Sequence, residues 1–193
     1  MRLILASQSP RRKQLLKDAA LDFEVSIADT DESFPKDMDY HTVPEYIAKG
    51  KAEAVVAKLM ISTEWVENVV VLAADTIVVL EGQIIGKPKD EEDARQILLN
   101  LSGKSHEVIT GVYVKTYEKD FSFHSLTKVQ FNTLNRQQID YYIQNYKPFD
   151  KAGAYAIQEW IGMVGIASIS GDFYNVIGLP INKVAKLLNK IKG

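Results

Sequence analysis

The chain opens with a short apolar run, Leu3 to Ala6, that reads as a buried strand. Ser9-Pro10 then starts a helix, because serine is a good N-cap and proline at the first helical position loses no needed donor. Leu15 and Leu16 give that helix its apolar stripe, and Phe23 to Ile27 alternates weakly enough for a second strand. Asp29 to Asp39 is acidic and broken by Pro35, so it reads as a loop. From about Pro44, with Thr42 as the expected cap, Ile47, Ala48, Ala52, Val55, Val56 and Leu59 recur at helical spacing.

Val69 to Leu80 is too rich in β-branched residues for a comfortable helix and carries the strongest strand signal in the chain. Glu81-Gly82 turns it back into Gln83-Ile84-Ile85 as a hairpin. Asp90 caps a helix running to Leu101. Glu107 to Tyr117 and Ser122 to Leu134 alternate as two strands of a long hairpin about Glu118-Lys119-Asp120. Arg136 to Tyr146 is helical, Ala152 to Pro180 mixes short strands with loops, and Ile181 to Ile191 closes as an amphipathic helix. The sum is a mixed α/β (α+β) fold: a central twisted sheet, flanking helices and a long hairpin that rules out a purely parallel sheet.

Composition narrows the functions. At 193 residues the chain suffices for one domain or two compact lobes. A net charge of -2 provides no global field for nucleic acid or an anionic membrane, so positive charge must be local if the ligand is an anion. Without cysteine there is neither disulfide nor thiolate chemistry. The apolar start is too short for a signal peptide and no stretch reaches the length of a membrane span, so the expected location is cytoplasmic.

Several segments could carry chemistry. In Ser7-Gln8-Ser9-Pro10-Arg11-Arg12-Lys13, a strand ends in small polar residues and a helix begins with three cations. Cations there oppose the helix dipole unless an anion is near, and the free N–H groups with arginine forks suit phosphate. The plain alternative is a solvated basic turn. Asp75 lies among apolar strand residues, where an unpaired carboxylate is costly to bury. It should therefore sit at a strand end or sheet opening, or meet a cation; either placement suits a general base or metal ligand. A satisfied Asp-Thr turn at a bulge is the alternative. Lys87, between Gly86 and Pro88, is aimed by a loop but is equally an ordinary surface lysine, and Glu32 and Lys51 are unremarkable singly. His106 reads as structural. In Lys151-Ala152-Gly153-Ala154-Tyr155-Ala156-Ile157-Gln158 the small residues permit close backbone approach, and the Gln158 amide could read a base edge.

In order, Leu5-Ala6-Ser7-Gln8-Ser9-Pro10-Arg11-Arg12, Ala74-Asp75-Thr76-Ile77-Val78, Gly86-Lys87-Pro88, His106-Glu107-Val108-Ile109-Thr110-Gly111-Val112, the Lys151 to Gln158 segment and Asn175-Val176-Ile177-Gly178-Leu179-Pro180 resemble the successive signatures of the Maf family. The resemblance implies a nucleoside triphosphate pyrophosphatase with the fold of the inosine triphosphate pyrophosphatases, residues 1–193 forming one domain or two lobes around a substrate cleft. It implies Asp75 as proton acceptor, with Glu32 and Lys87 also catalytic. Ser7, Ser9, Arg11, Arg12, Lys51, Thr76 and Gln158 would bind substrate, with Arg11, Thr76 and Gln158 setting specificity. A divalent cation, Mg²⁺ or Mn²⁺, would rest on Glu32 and Asp75. The Lys-Ala-Gly-Ala-Tyr-Ala-Ile-Gln form resembles the subgroup that prefers dTTP and UTP. The expected partners are a small nucleotide and a second copy in a homodimer, with no nucleic acid and no membrane. A non-catalytic nucleotide-binding regulator of septum formation is the rival that the same resemblance supplies.

Overall fold

The computed structural model describes residues 1–193. In chain order it comprises β1 (Arg2–Leu5), α1 (Pro10–Asp18), β2 (Glu24–Val25), α2 (Val43–Ile61), β3 (Val69–Leu80), β4 (Gln83–Ile85), α3 (Glu91–Leu101), β5 (Ser105–Lys115) and β6 (Asp120–Phe131). It continues with α4 (Arg136–Tyr146), two 3₁₀ turns, α5 (Trp160–Gly165), β7 (Ile166–Ser170), α6 (Phe173–Ile177) and α7 (Ile181–Lys192). The strands form a seven-stranded sheet in the order β2-β1-β3-β5-β6-β7, with β4 paired to β3. β1 runs parallel to β2 and β3, whereas β3/β4 and β6/β7 are antiparallel, so the sheet is mixed as the sequence predicts. No helix is long and apolar enough to cross a membrane.

The chain divides into two compact units. The first comprises residues 1–75, 110–125 and 178–193. Its core places the apolar stripe of α2 (Ala48, Ala52, Val55, Val56, Leu59) against Ile4, Val69, Val71, Ala73 and Tyr113. The start of α2 lies hard on β5: a side chain at Gly111 would put its Cβ 2.2 Å from the Glu45 backbone nitrogen, so only glycine fits. Glu45 then accepts a hydrogen bond from Ser122 and pairs with His124 Nδ1 at 2.6 Å. Thr42 does not cap α2 as expected. Its backbone is already helical, and its hydroxyl donates to the Asp39 carbonyl at 2.8 Å.

The second unit comprises residues 76–109 and 126–177. Its core gathers Val78, Leu80, Leu98, Leu101, Phe131, Ile139, Tyr142, Ile143, Tyr155 and Ile161. Asp90 caps α3 through Asp93 N–H as the sequence suggests, and α4 begins in a reciprocal Asn135/Gln138 capping box. His106 is structural here: it is buried, edge-on to Phe131 and Tyr155, with Nε2 2.7 Å from the Tyr155 hydroxyl. Burial pushes its pKa down to about 4, so the ring is neutral near pH 7.

Candidate active site

In the first unit, the chain leaves β1 through Ser7, turns at Ser9 and enters α1. Ser9 Oγ accepts from Arg12 N–H at 3.4 Å, the expected N-cap. Ser7 Oγ accepts from Ser9 N–H at 3.2 Å and from Arg12 Nη1 at 3.3 Å. Both hydroxyls thus spend their oxygens as acceptors and keep a proton to donate. Arg12 is buried, and its Nε donates to the Gly178 carbonyl at 2.8 Å, tying α1 to the segment that precedes α7. Burial holds its guanidinium below the ordinary arginine range, and neighbouring Arg11 adds to that effect, while the Asp75 and Glu32 charges oppose it. A buried cation of this kind gains most from a further anion nearby.

Asp75 stands in the middle of β3 rather than at a strand end. The cost of burying its carboxylate is met by a cation instead: Lys51, carried on α2, donates to Asp75 Oδ1 at 2.7 Å. The same ammonium lies 2.8 Å from Glu32 Oε1, which reaches in from the acidic loop. The Lys51 and Asp75 side chains are only 17% and 14% exposed, whereas Glu32 is 55% exposed, so the pair is fixed by the fold and Glu32 is its adjustable member. Ser7, Ser9 and Arg12 thus form one bonded set and Glu32, Lys51 and Asp75 another, and the charges of Asp75, Glu32 and Arg11 act on Arg12.

No set of three or more His, Asp or Glu side chains is placed to hold a metal. The donor chemistry present is two carboxylates converging on one ammonium. That suits an ion such as Mg²⁺, which takes one or two carboxylates and completes its shell with phosphates and water, better than an all-protein cage.

The remaining expected residues lie in the second unit. Thr76 is half-buried on β3, and Lys87 is exposed beside buried Pro88. The Gly86 carbonyl accepts from Gly153 N–H at 3.1 Å, so the Lys87 loop is joined directly to the Lys151 to Gln158 segment. Gly153 has φ +71°, and a Cβ there would come within 3.0 Å of Val78, which explains the glycine at that position. Gln158 is exposed in a turn closed by Glu159 N–H to the Ala156 carbonyl at 3.1 Å. Two participants escape sequence reading. The Gly178 carbonyl that holds Arg12 has no side chain to announce it. Tyr142, bonded to both ends of the Gln158 turn, reads in sequence only as one more apolar position of α4.

Residues 2–191 match the family model described as Maf-like protein. The dTTP/UTP pyrophosphatase of Cytophaga hutchinsonii is 48% identical over 98% of this chain and 84% of its own length. Those of Bacteroides thetaiotaomicron and Flavobacterium psychrophilum are 46% and 45% identical, over 98% and 95% of this chain and 95% and 91% of theirs. Among solved structures, the Staphylococcus aureus Ham1 protein overlays with a TM-score of 0.45 at 17% identity, covering 68% of this chain and 72% of that one. With a family match running from residue 2 to residue 191, the chain belongs to the Maf family.

Proposed function

We propose that this protein hydrolyses nucleoside triphosphates, dTTP and UTP foremost, to the monophosphate and pyrophosphate. The observation that carries the reading is the Lys51 ammonium held between Asp75 and Glu32, within the electrostatic reach of buried Arg12. The names of the relatives at 45–48% identity support the same chemistry.

Water attacks the α-phosphorus, and the bond from that phosphorus to the α,β-bridging oxygen breaks. Pyrophosphate leaves with the bridging oxygen. Asp75 is the proton acceptor: Lys51 occupies Oδ1, which leaves Oδ2 to take the proton of the attacking water. Arg11, Arg12, Lys51 and Lys87 offset the triphosphate charge and that of the departing pyrophosphate, while the Ser7 and Ser9 hydroxyls donate to phosphate oxygens. Glu32, bound to Lys51, keeps that ammonium aligned. Glu32 and Asp75 would also hold a Mg²⁺ or Mn²⁺ ion, which when bound adds charge neutralisation at the phosphates. Gln158 reads the pyrimidine edge through its paired donor and acceptor, with Thr76 and Arg11 as further specificity positions. The working protein is a cytoplasmic homodimer.

The test is a panel of normal and modified triphosphates assayed with Mg²⁺, Mn²⁺ and a chelator, with products separated. Monophosphate plus pyrophosphate, fastest from dTTP and UTP and lost with chelator, is the expected result. Nucleotide binding without any product would replace the enzyme by a regulator.

A further inference from the structure

The Gln158 turn is held by groups that the reaction does not use. Tyr142, fully buried on α4, accepts a hydrogen bond from Ala156 N–H at 3.1 Å and donates its own proton to the Glu159 carboxylate. One hydroxyl thus grips the residues on either side of the Ile157-Gln158 pair. Glu159 also pairs with buried Lys151 at 3.5 Å, which joins the last residue of the turn to the first residue of the whole segment. Lys151 is in turn fixed by Asp150 at 2.8 Å. Glu159 occupies the N-cap position of α5 yet makes no capping bond, because its carboxylate is committed to Tyr142 and Lys151. The following helix leaves the turn no slack: a Cβ on Gly162 would lie 1.7 Å from the Ile157 carbonyl oxygen.

A buried phenol that both accepts and donates is costly to leave half satisfied, so its partners are held at one spacing. The result is an exposed glutamine on a turn tied at both ends. Discrimination between bases by hydrogen bonding needs this, since a reading group that can shift will accommodate the wrong edge.

We infer that Tyr142, Glu159 and Lys151 form a clamp that sets base selectivity by immobilising the turn that presents Gln158. They are positioning residues, and the inference rests on the reading of Gln158 given above. It extends selectivity to three side chains that need not touch the nucleotide.

The clamp can be tested in the full-length protein with Tyr142→Phe, Glu159→Ala, Glu159→Gln, Gln158→Ala and the Tyr142→Phe/Gln158→Ala pair. Amide exchange at Ala156 and Glu159 is followed without substrate. The relative kcat/KM for dTTP, UTP, CTP and GTP is measured alongside. Tyr142→Phe should speed Ala156 exchange and reduce the preference for dTTP over CTP by about tenfold, mostly through KM. Glu159→Ala should behave similarly. Glu159→Gln, whose amide oxygen still accepts from Tyr142, should keep most of both properties. In the Gln158→Ala background the Tyr142 change should add nothing further to the ranking.

Unaltered Ala156 exchange in Tyr142→Phe would overturn the clamp, as would a ranking change that persists in full without Gln158. If Gln158→Ala alone left the ranking untouched, base reading by that residue would fall and the inference with it, while hydrolysis would stand. Because exchange is read on the free protein, that failure is distinguishable from failure of the clamp itself.

Discussion

The molecule contains two lysines, each held between two carboxylates. Lys51 lies 2.7 Å from Asp75 and 2.8 Å from Glu32, and Lys151 lies 2.8 Å from Asp150 and 3.5 Å from Glu159. Both ammonium groups are largely shielded, with side chains 17% and 9% exposed. What separates them is their surroundings. Asp75 and Glu32 also act electrostatically on Arg12, which in turn feels Arg11, so on the proposed function three cations share two carboxylates and the group can take an anion. Around Lys151 the further neighbour is a neutral phenol that donates into Glu159, so one cation faces two carboxylates and no phosphate would be welcome. On the proposed function and the clamp inferred above, the same ion-pair element serves chemistry in one place and rigidity in the other. Which use it has is decided by the sign of the next charge, not by the lysine.

That contrast predicts a descending series of effects. The largest belongs to Asp75→Asn, which keeps the shape of the side chain and a hydrogen-bonding oxygen but loses the proton acceptor. Turnover should drop by about 10²–10⁴, with the thermal midpoint near that of the parent protein. Steady-state pyrophosphate release and a melting curve check both halves, and an unimpaired variant would place the two lysine groups in the same structural class. Next comes Tyr142→Phe in the other group, whose expected change is about tenfold in base preference rather than in the chemical step. Smallest is Ser122→Ala, which removes a contact to Glu45 on the exposed side of the first unit, remote in role from either lysine. It should cost no more than about 1 kcal/mol by denaturant titration and leave the ranking and turnover alone.

Much of the fold was legible because its signals are local. The β-branched run of β3 marks its own ends, Val69 and Leu80, and Ser9-Pro10 and Asp90 mark helix starts through bonds made within three residues. Thr42 misled because its backbone is already helical, which the residue type does not announce, and its hydroxyl turns back to the Asp39 carbonyl. Asp75 was legible as a residue of interest, since a carboxylate in an apolar strand demands a partner. Its mid-strand placement was not, because the partner comes from a helix 24 residues earlier. The family resemblance drew attention to Lys51 and Glu32, which have no distinguishing local pattern. The Tyr142–Glu159 contact spans 17 residues and depends on the register of α4 against the turn, which neither periodicity nor spacing encodes. Polar residues that act through backbone geometry are the hardest to read ahead of a structure.

On the proposed function, water attacks the α-phosphorus. Hydrolysis of dTTP in ¹⁸O-enriched water, with the products separated and weighed by mass spectrometry, tests it most directly. That attack puts one heavy oxygen in the monophosphate and none in the pyrophosphate. Label in the pyrophosphate, or release of orthophosphate in its place, would contradict it.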